Sequence, residues 1–315
     1  MESAIEIPSR VEPWALANEY PATSLPGKGD AHFARLVTVR TRGKLAIVAM
    51  PDARPGYPSR EQLRAVADGR VAMADMFSGA LGEEEAILGL STLPFVVESL
   101  GAARSLCAAA RPAYEAAFAR HNQTLLFSTP WPASGLWSRT PADSVEEIAS
   151  FRIRAYDETG ARLFARLGSR ASVVSFSELG AKVAVGQIDA VLSSGDGGAG
   201  RALWEHLPRF TAINYAMPLS FATVNLDRWK ALGAATRAEV EVAARETEVH
   251  QWRAIEGRLA ENYACMREHG MTLVTQVSPA LRQRLREAGR EALRDWKDRA
   301  GAAGAALLGN ALEHR

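Results

Sequence analysis

Twice along this 315-residue chain a helical segment is closed by a glycine and runs straight into a short apolar strand. The segments are "LRAVADGRVAMADMFSG", residues 63–79, and "LGAKVAVGQIDAVLSSG", residues 179–195. A helix feeding a strand in this way is the unit from which parallel α/β sheets are built. Each unit shares an Ala-Val step, a terminating Gly and a Ser-Gly exit, which fits an internal duplication or two independent units of one kind. Either way the spacing predicts two similar lobes. Each presents a loop at the carboxyl edge of its sheet, Phe77 and Ser78 on one and Ser193 and Ser194 on the other, and open α/β sheets bind ligands at that edge.

The rest of the chain fits this unit. "WALANEY" (Trp14 to Tyr20) reads as a first strand that leaves Glu19 and Tyr20 at its end, "PATSLPGKGD" as a loop, "AHFARLVTVRT" as a helix closed by Gly43, and "KLAIVAM" as a second strand. Ser59 with Gln62, and Ser175 with Glu178, stand at capping-box spacing. "TAINYAMPLSFATVN", which contains Tyr215, reads as one strand. The long stretch "RAEVEVAARETEVHQWRAIEGRLAENYACMREHG" predicts a helix bent or broken near Gly257 and running across both lobes. "TLVTQV" is a short strand, and the last helix begins with Ser278 as cap and Pro279 as first residue. Chain crossings between lobes are expected near Phe127–Ser138 and Ala216–Asn225.

Composition narrows the function classes. A formal net charge of +1 leaves no general attraction for nucleic acid or anionic lipid. Two cysteines, Cys107 and Cys265, lie in helical patterns without a partner at metal-ligand spacing, so no disulfide scaffold is expected. The start, "MESAIEIPSRVEPW", has neither a basic head nor an apolar run, so a secretory leader is expected to be absent from this chain. The six histidines are scattered with no H-x-x-x-H pair, and no G-x-S-x-G occurs, which lowers an enzyme reading.

"FRIRAYDETG" (Phe151 to Gly160) places Arg152, Arg154 and Tyr156 on one face of a strand and sets Arg154 near its carboxyl end. Trp131 and Trp137 fall in the Pro, Gly and Ser-rich "STPWPASGLWSRTP", where they could line a cleft or pack a hinge. "GDGGAG" (Gly195 to Gly200, with Asp196) matches G-x-G-x-x-G. Its next strand offers no acid for a ribose, so a turn beside the cleft without phosphate is expected, and an NAD(P)-dependent oxidoreductase is the alternative function.

Taken in order, "NEYPATSLPGKGDAHFARLVTVRTRGKL", "LRAVADGRVAMADMFSGALG", "LSTLPFVV", "FRIRAYDETG", "SFSELGAKVAVGQIDAVLSSGDGG" and "EHGMTLV" resemble solute-binding proteins of tripartite ATP-independent periplasmic (TRAP) transporters, the DctP-type family. The resemblance spans nearly the whole chain. It implies an α/β, two-lobed periplasmic-binding-protein-like fold, each lobe a mixed β-sheet flanked by helices, with a long helix spanning both lobes. Residues 12–128 with 217–252 would form one lobe and 129–216 with 253–315 the other. The implied protein is a periplasmic monomer that closes on an organic acid and delivers it to the TRAP permease membrane subunits, with no cofactor, metal or nucleic acid and no catalysis.

Residue by residue, the resemblance implies that Arg154 forms a two-pronged salt bridge with the ligand carboxylate, that Phe176 borders the ligand and that Ser193 supplies a polar contact. Where many members carry a second ligand arginine, this chain offers Trp137, with Arg139 two residues on. Loss of that charge implies a monocarboxylate with an apolar or aromatic body. The remaining candidates are Trp131, Tyr156, Glu19, Tyr20, Phe77, Ser78, Asp196 and Tyr215.

Overall fold

The computed structural model describes residues 13–54 and 56–313. Residue 12, the expected start of the first lobe, lies outside them, as do residues 1–11 of the amino-terminal stretch read for a leader and His314.

Strand β1 (Trp14–Asn18) leads into helix α1 (Leu25–Arg40), which starts six residues before the expected Ala31. The start signal was hidden in the Pro/Gly-rich stretch. Ser24 caps the helix by accepting the Gly27 N–H, Pro26 fits the first turn, and a Cβ at Gly27 would lie 2.4 Å from the Pro21 carbonyl oxygen. Strand β2 (Ile47–Met50) and helix α2 (Ser59–Ala67) follow. Here the cap position belongs to Pro58. Ser59 is the first helical residue, and Gln62 donates to the Tyr57 carbonyl instead of closing a capping box. Gly69, at φ +71°, turns the chain into β3 (Met73–Phe77). Helix α3 (Leu100–Arg120) then precedes β4 (Gln123–Pro130).

The chain now changes sheet. Strand β5 (Gly135–Ser138), helix α4 (Val145–Ala149), β6 (Arg152–Ala155), α5 (Glu158–Arg166), β7 (Arg170–Val173), α6 (Phe176–Ala184), β8 (Ala190–Ser193), the short helix α7 (Gly195–Ala199) and β9 (Arg209–Thr211) build the second half. Ser175 precedes α6 but bonds the Glu178 carboxylate, not the helix backbone, so it too makes no capping box. The expected strand through Tyr215 is split. Asn214, at φ +50°, and Pro218, which has no N–H, interrupt it, and β10 (Leu219–Asn225) begins only after Pro218, back in the first sheet. The crossings thus fall at 131–134 and 212–218.

Helix α8 (Leu226–Ala231) leads to α9 (Ala234–Glu268), which is not broken at Gly257. The interruption is elsewhere: α10 (Pro279–Glu313), entered after β11 (Thr272–Val274), is kinked at Gly301, φ +69°. Ser278 caps α10 as expected, accepting the Leu281 N–H. The two sheets have the orders β2-β1-β3-β10-β4 and β11-β9-β5-β8-β6-β7. Strand β10 runs antiparallel to both neighbours in the first sheet and β5 to both of its own in the second, among otherwise parallel pairs, so each sheet is mixed. Helix α9 gives Trp252 and Ile255 to the first sheet's core and Met266 to the second's. Helix α10 also serves both, with Leu281 and Leu285 in the second core and Trp296 and Leu308 in the first.

Strand β4 is an edge, and its free side is occupied: Arg111 donates to the Leu126 carbonyl (3.0 Å), Glu248 accepts the Ser128 N–H (3.3 Å), and the two side chains pair at 2.6 Å. Cys107 and Cys265 are both free thiols. Among the described residues no helix is long and apolar enough to cross a membrane.

Candidate ligand-binding site

Alternation along β6 sends Ile153 into the second core and Arg154 to the opposite face, where its side chain is 3% exposed. A buried guanidinium needs acceptors. Arg154 Nε donates to the Val174 carbonyl (2.8 Å) and Nη1 to the Leu192 carbonyl (3.2 Å), which fixes the plane of the fork before any ligand arrives. Burial lowers the pKa of Arg154, yet arginine stays charged in proteins. Arg152, on the same strand, is held by Asp189 through two 2.7 Å bonds and lines neither of the cavities at Arg154.

Arg154 lines two adjacent spaces, an inner cavity of about 20 Å³ and a mouth of about 260 Å³. Tyr20, Phe77, Tyr156 and Phe176 line both, and Trp131 the inner one. These rings touch each other: Tyr20 lies 4.3 Å from Phe176 and 4.6 Å from Trp131, and Phe77 meets Tyr156 edge-on at 5.1 Å between centroids. Trp131 is oriented by its indole N–H, which donates to Ser220 Oγ. The Arg201 guanidinium sits 4.4 Å over Phe176. Burial pushes the phenols of Tyr20 and Tyr156 well up, so both remain neutral donors.

Ser193 lines the inner cavity, and Gly197 keeps room for it, since a Cβ there would stand 2.6 Å from Ser193 Oγ. Glu19 lines the mouth with both oxygens engaged, one by the Ser59 N–H and one by the Ser177 N–H. Ser194, expected beside Ser193 on the edge loop, lines the inner cavity too, and the structure adds residues that the sequence reading missed: Ser134 inside, and Asp157 at the mouth. Asp157 caps α5 by accepting the Gly160 N–H (2.8 Å), and burial raises its pKa to about 6. Its position before a helix was legible as a cap; its nearness to Arg154 was not.

Four expected residues do not line either space. Ser78 faces inward, bonded to Ser91 Oγ and the Leu219 N–H, because the chain coils into a short 3-10 turn over Ser78–Ala80. Trp137 is fully buried on a central strand, donating to the Ser194 carbonyl and packing edge-on against Phe210. Asp196 accepts the Leu25 N–H and pairs with Arg258. Tyr215 lies behind Tyr156, 6.1 Å away, with its hydroxyl buried and unpartnered.

The "GDGGAG" stretch is helix α7 and not a turn. Its glycines answer to packing: a Cβ at Gly195 would lie 2.8 Å from Met266, at Gly198 2.1 Å from the Trp137 ring, and at Gly200 2.8 Å from Pro21. A wider groove of about 570 Å³ between α3, β4 and α9 contains none of the expected site residues. Among the described residues no group of three or more His, Cys, Asp or Glu side chains could hold a metal.

Behind the cage lies a buried carboxyl pair. Asn18 links them to the site: its Nδ2 donates to Asp30 (2.6 Å) and its Oδ1 accepts the Tyr20 N–H (2.8 Å). Burial raises Asp75 to about 7 and Asp30 well above the carboxylate range, so the pair retains a proton.

The sequence matches the DctP family, bacterial extracellular solute-binding protein family 7, over residues 16–299. No curated protein matches it. Among solved structures, DctP6 of Bordetella pertussis, an extracytoplasmic solute receptor binding pyroglutamic acid, is similar at 26% identity and TM-score 0.91, covering 96% of this chain and 100% of that one. A marine-metagenome TRAP solute-binding protein specific for pyroglutamate, from an unidentified microbe, matches at 27% identity and TM-score 0.91 over 98% and 100% of the two chains. A TRAP periplasmic solute-binding protein from Desulfovibrio salexigens, with bound orotic acid, shares the fold at 17% identity and TM-score 0.87, over 95% and 97%. With two mixed sheets, a cleft between them and a family match over most of its length, the chain belongs to the DctP family of extracytoplasmic solute-binding proteins.

Proposed function

We propose that this protein is the solute receptor of a TRAP transporter and that it captures a compact monocarboxylate on Arg154 for delivery to the membrane permease. The observation that carries this reading is the buried Arg154 fork, already oriented by two backbone carbonyls, at the floor of an aromatic cage. A planar guanidinium matches a carboxylate two bonds at a time, and exclusion of water strengthens both. Ser134, Ser193 and Ser194 offer hydroxyls for a neutral polar group on the same ligand, and the rings cover its body.

The charges at the mouth support one carboxylate and not two. Glu19, Glu83, Glu84, Asp157 and Glu158 face only Arg60 and Arg154 there, which disfavours a second anionic group. Pyroglutamate, a small ring with one carboxylate and a neutral lactam, fits these demands, and the two relatives above 25% identity that bind it make it the first ligand to try. Calorimetric titration with pyroglutamate, aromatic monocarboxylates, succinate and NAD⁺ tests the proposal. Binding of at least one monocarboxylate with weak or no response to succinate is expected. Saturable NAD⁺ binding, or silence from every monocarboxylate, would overturn it.

A further inference from the structure

Two buried carboxylates join the halves of the molecule, and they do so in opposite directions. Glu19 follows β1 of the first sheet. Its Oε2 accepts the N–H of Ser59, the first residue of α2 on the same half (3.0 Å), while its Oε1 accepts the N–H of Ser177, the second residue of α6 on the other half (2.9 Å). Asp196 belongs to α7 of the second half. Its Oδ2 accepts the N–H of Leu25, the first residue of α1 on the first half (2.7 Å). Its Oδ1 takes Arg258 Nε (2.6 Å), and the same guanidinium donates to the Thr23 carbonyl (2.7 Å), again on the first half.

Each half therefore lends a carboxylate to the amino end of a helix on the other, where unpaired N–H groups and the helix dipole favour a negative charge. Glu19 and Asp196 are only 3% and 2% exposed, so water competes poorly for these bonds. Glu19 borders the mouth, but none of these hydrogen bonds uses Arg154 or a residue of the inner cavity. We infer that Glu19 and Asp196 are reciprocal clasps that populate the closed form before a ligand enters, and that Glu19, at the mouth, is a positioning residue of the cleft and not a ligand contact.

The chemistry makes the clasps sensitive to small changes. Glu19→Gln keeps one acceptor oxygen but turns an amide N–H₂ toward an N–H donor, so it cannot serve both helices. Asp196→Asn loses the charge that Arg258 and Leu25 share. Ligand affinity follows the fraction of competent molecules, so an opened receptor binds more weakly although no ligand contact has been touched.

The test needs no ligand and so stands apart from the carboxylate proposal. Fluorophores are placed at Val39→Cys and Val185→Cys, one on each half and 66% and 71% exposed in the parent, in a Cys107→Ser, Cys265→Ser background, and inter-label distances are recorded by single-molecule energy transfer. The parent without ligand should show a closed population. Glu19→Gln and Asp196→Asn, each checked for a cooperative thermal transition, should both reduce it several-fold. A parent that is wholly open without ligand overturns the inference, as does a closed population that survives in both folded variants. Asp196→Asn keeps the test decisive should Glu19→Gln fail to fold.

Discussion

Replacing Arg154 by alanine tests the site where the structure is most specific about it. The side chain is 3% exposed, its Nε and Nη1 are spent on the Val174 and Leu192 carbonyls, and the remaining edge of the fork is the group we assign to the ligand. Truncating one partner of a buried, hydrogen-bonded charge pair costs about 2 to 5 kcal/mol. At about 1.4 kcal/mol per tenfold, that is roughly a 30-fold to several-thousand-fold rise in Kd. Arg154→Lys should recover only part of the loss, because an ammonium keeps the charge but cannot hold two backbone carbonyls and a carboxylate in one plane. Arg152→Ala is the internal control. Its guanidinium is already paired with Asp189 and lines neither space, so affinity should change by less than about threefold, the scale of an exposed ion pair. Titration calorimetry with pyroglutamate, or with whichever monocarboxylate binds the parent, measures all three. An Arg154→Ala protein that melts cooperatively and binds that ligand as tightly as the parent would refute the assignment of the anchor.

Three further outcomes can be checked without a ligand or with a simple one. Gly198→Ala would drive a Cβ to 2.1 Å from Trp137 and should lower stability by about 1 to 3 kcal/mol or more, whereas Gly180→Ala, with nothing within 4 Å inside α6, should be neutral or stabilising; denaturant melts of the pair decide it. Asp75 is held protonated, with its pKa raised to about 7 in the folded chain, so its contribution to stability is complete below about pH 4 and is lost as pH rises through 7. Asp75→Asn should therefore gain on the parent between pH 4 and pH 8, by an amount on the order of a few kcal/mol; a stability difference that stays flat across that range would argue against the shared proton. Small-angle scattering at saturating carboxylate should show a radius of gyration no larger than that of the free protein, and an expansion would speak against a closing cleft.

How much of this was legible depended on whether a residue's role is local. Arg154 and Tyr156 could be placed from strand alternation alone, and Trp131 stood out because it lies outside any periodic apolar face. Trp137 belongs to the same segment and looked equivalent, yet it faces α7 on a central strand. Only the three-dimensional fit of its ring against Gly198 separates the two tryptophans. Ser78 and Ser194 occupy matching places in the two helix-strand units, but the tight turn at Ser78–Ala80 swings the first hydroxyl toward Ser91, while Ser194 lines the cavity. The start of α1 and the split between β9 and β10 are not legible for a related reason: Pro26 and Gly27 suit a loop as well as a first helical turn, and Asn214 and Pro218 sit inside an apolar run whose pattern is that of a single strand. The partners that Glu19 and Asp196 find on the opposite half, Ser177 and Leu25, lie 158 and 171 residues away in sequence, and no local pattern carries that information.

The occupied edge of β4 bears on how the receptor lives among its own copies. An edge strand with bare N–H and C=O groups is a template on which a second chain can add a strand, and natural sheets guard against it with charges turned to that side. Here Arg111 and Glu248 stand in for the missing neighbour, one donating to Leu126 and the other accepting from Ser128, while satisfying each other. A visiting strand would have to displace both and strand a guanidinium and a carboxylate together. That side of the sheet is thereby finished from within its own chain, and the β4 edge offers a second copy no bare row of N–H and C=O groups on which to add a strand.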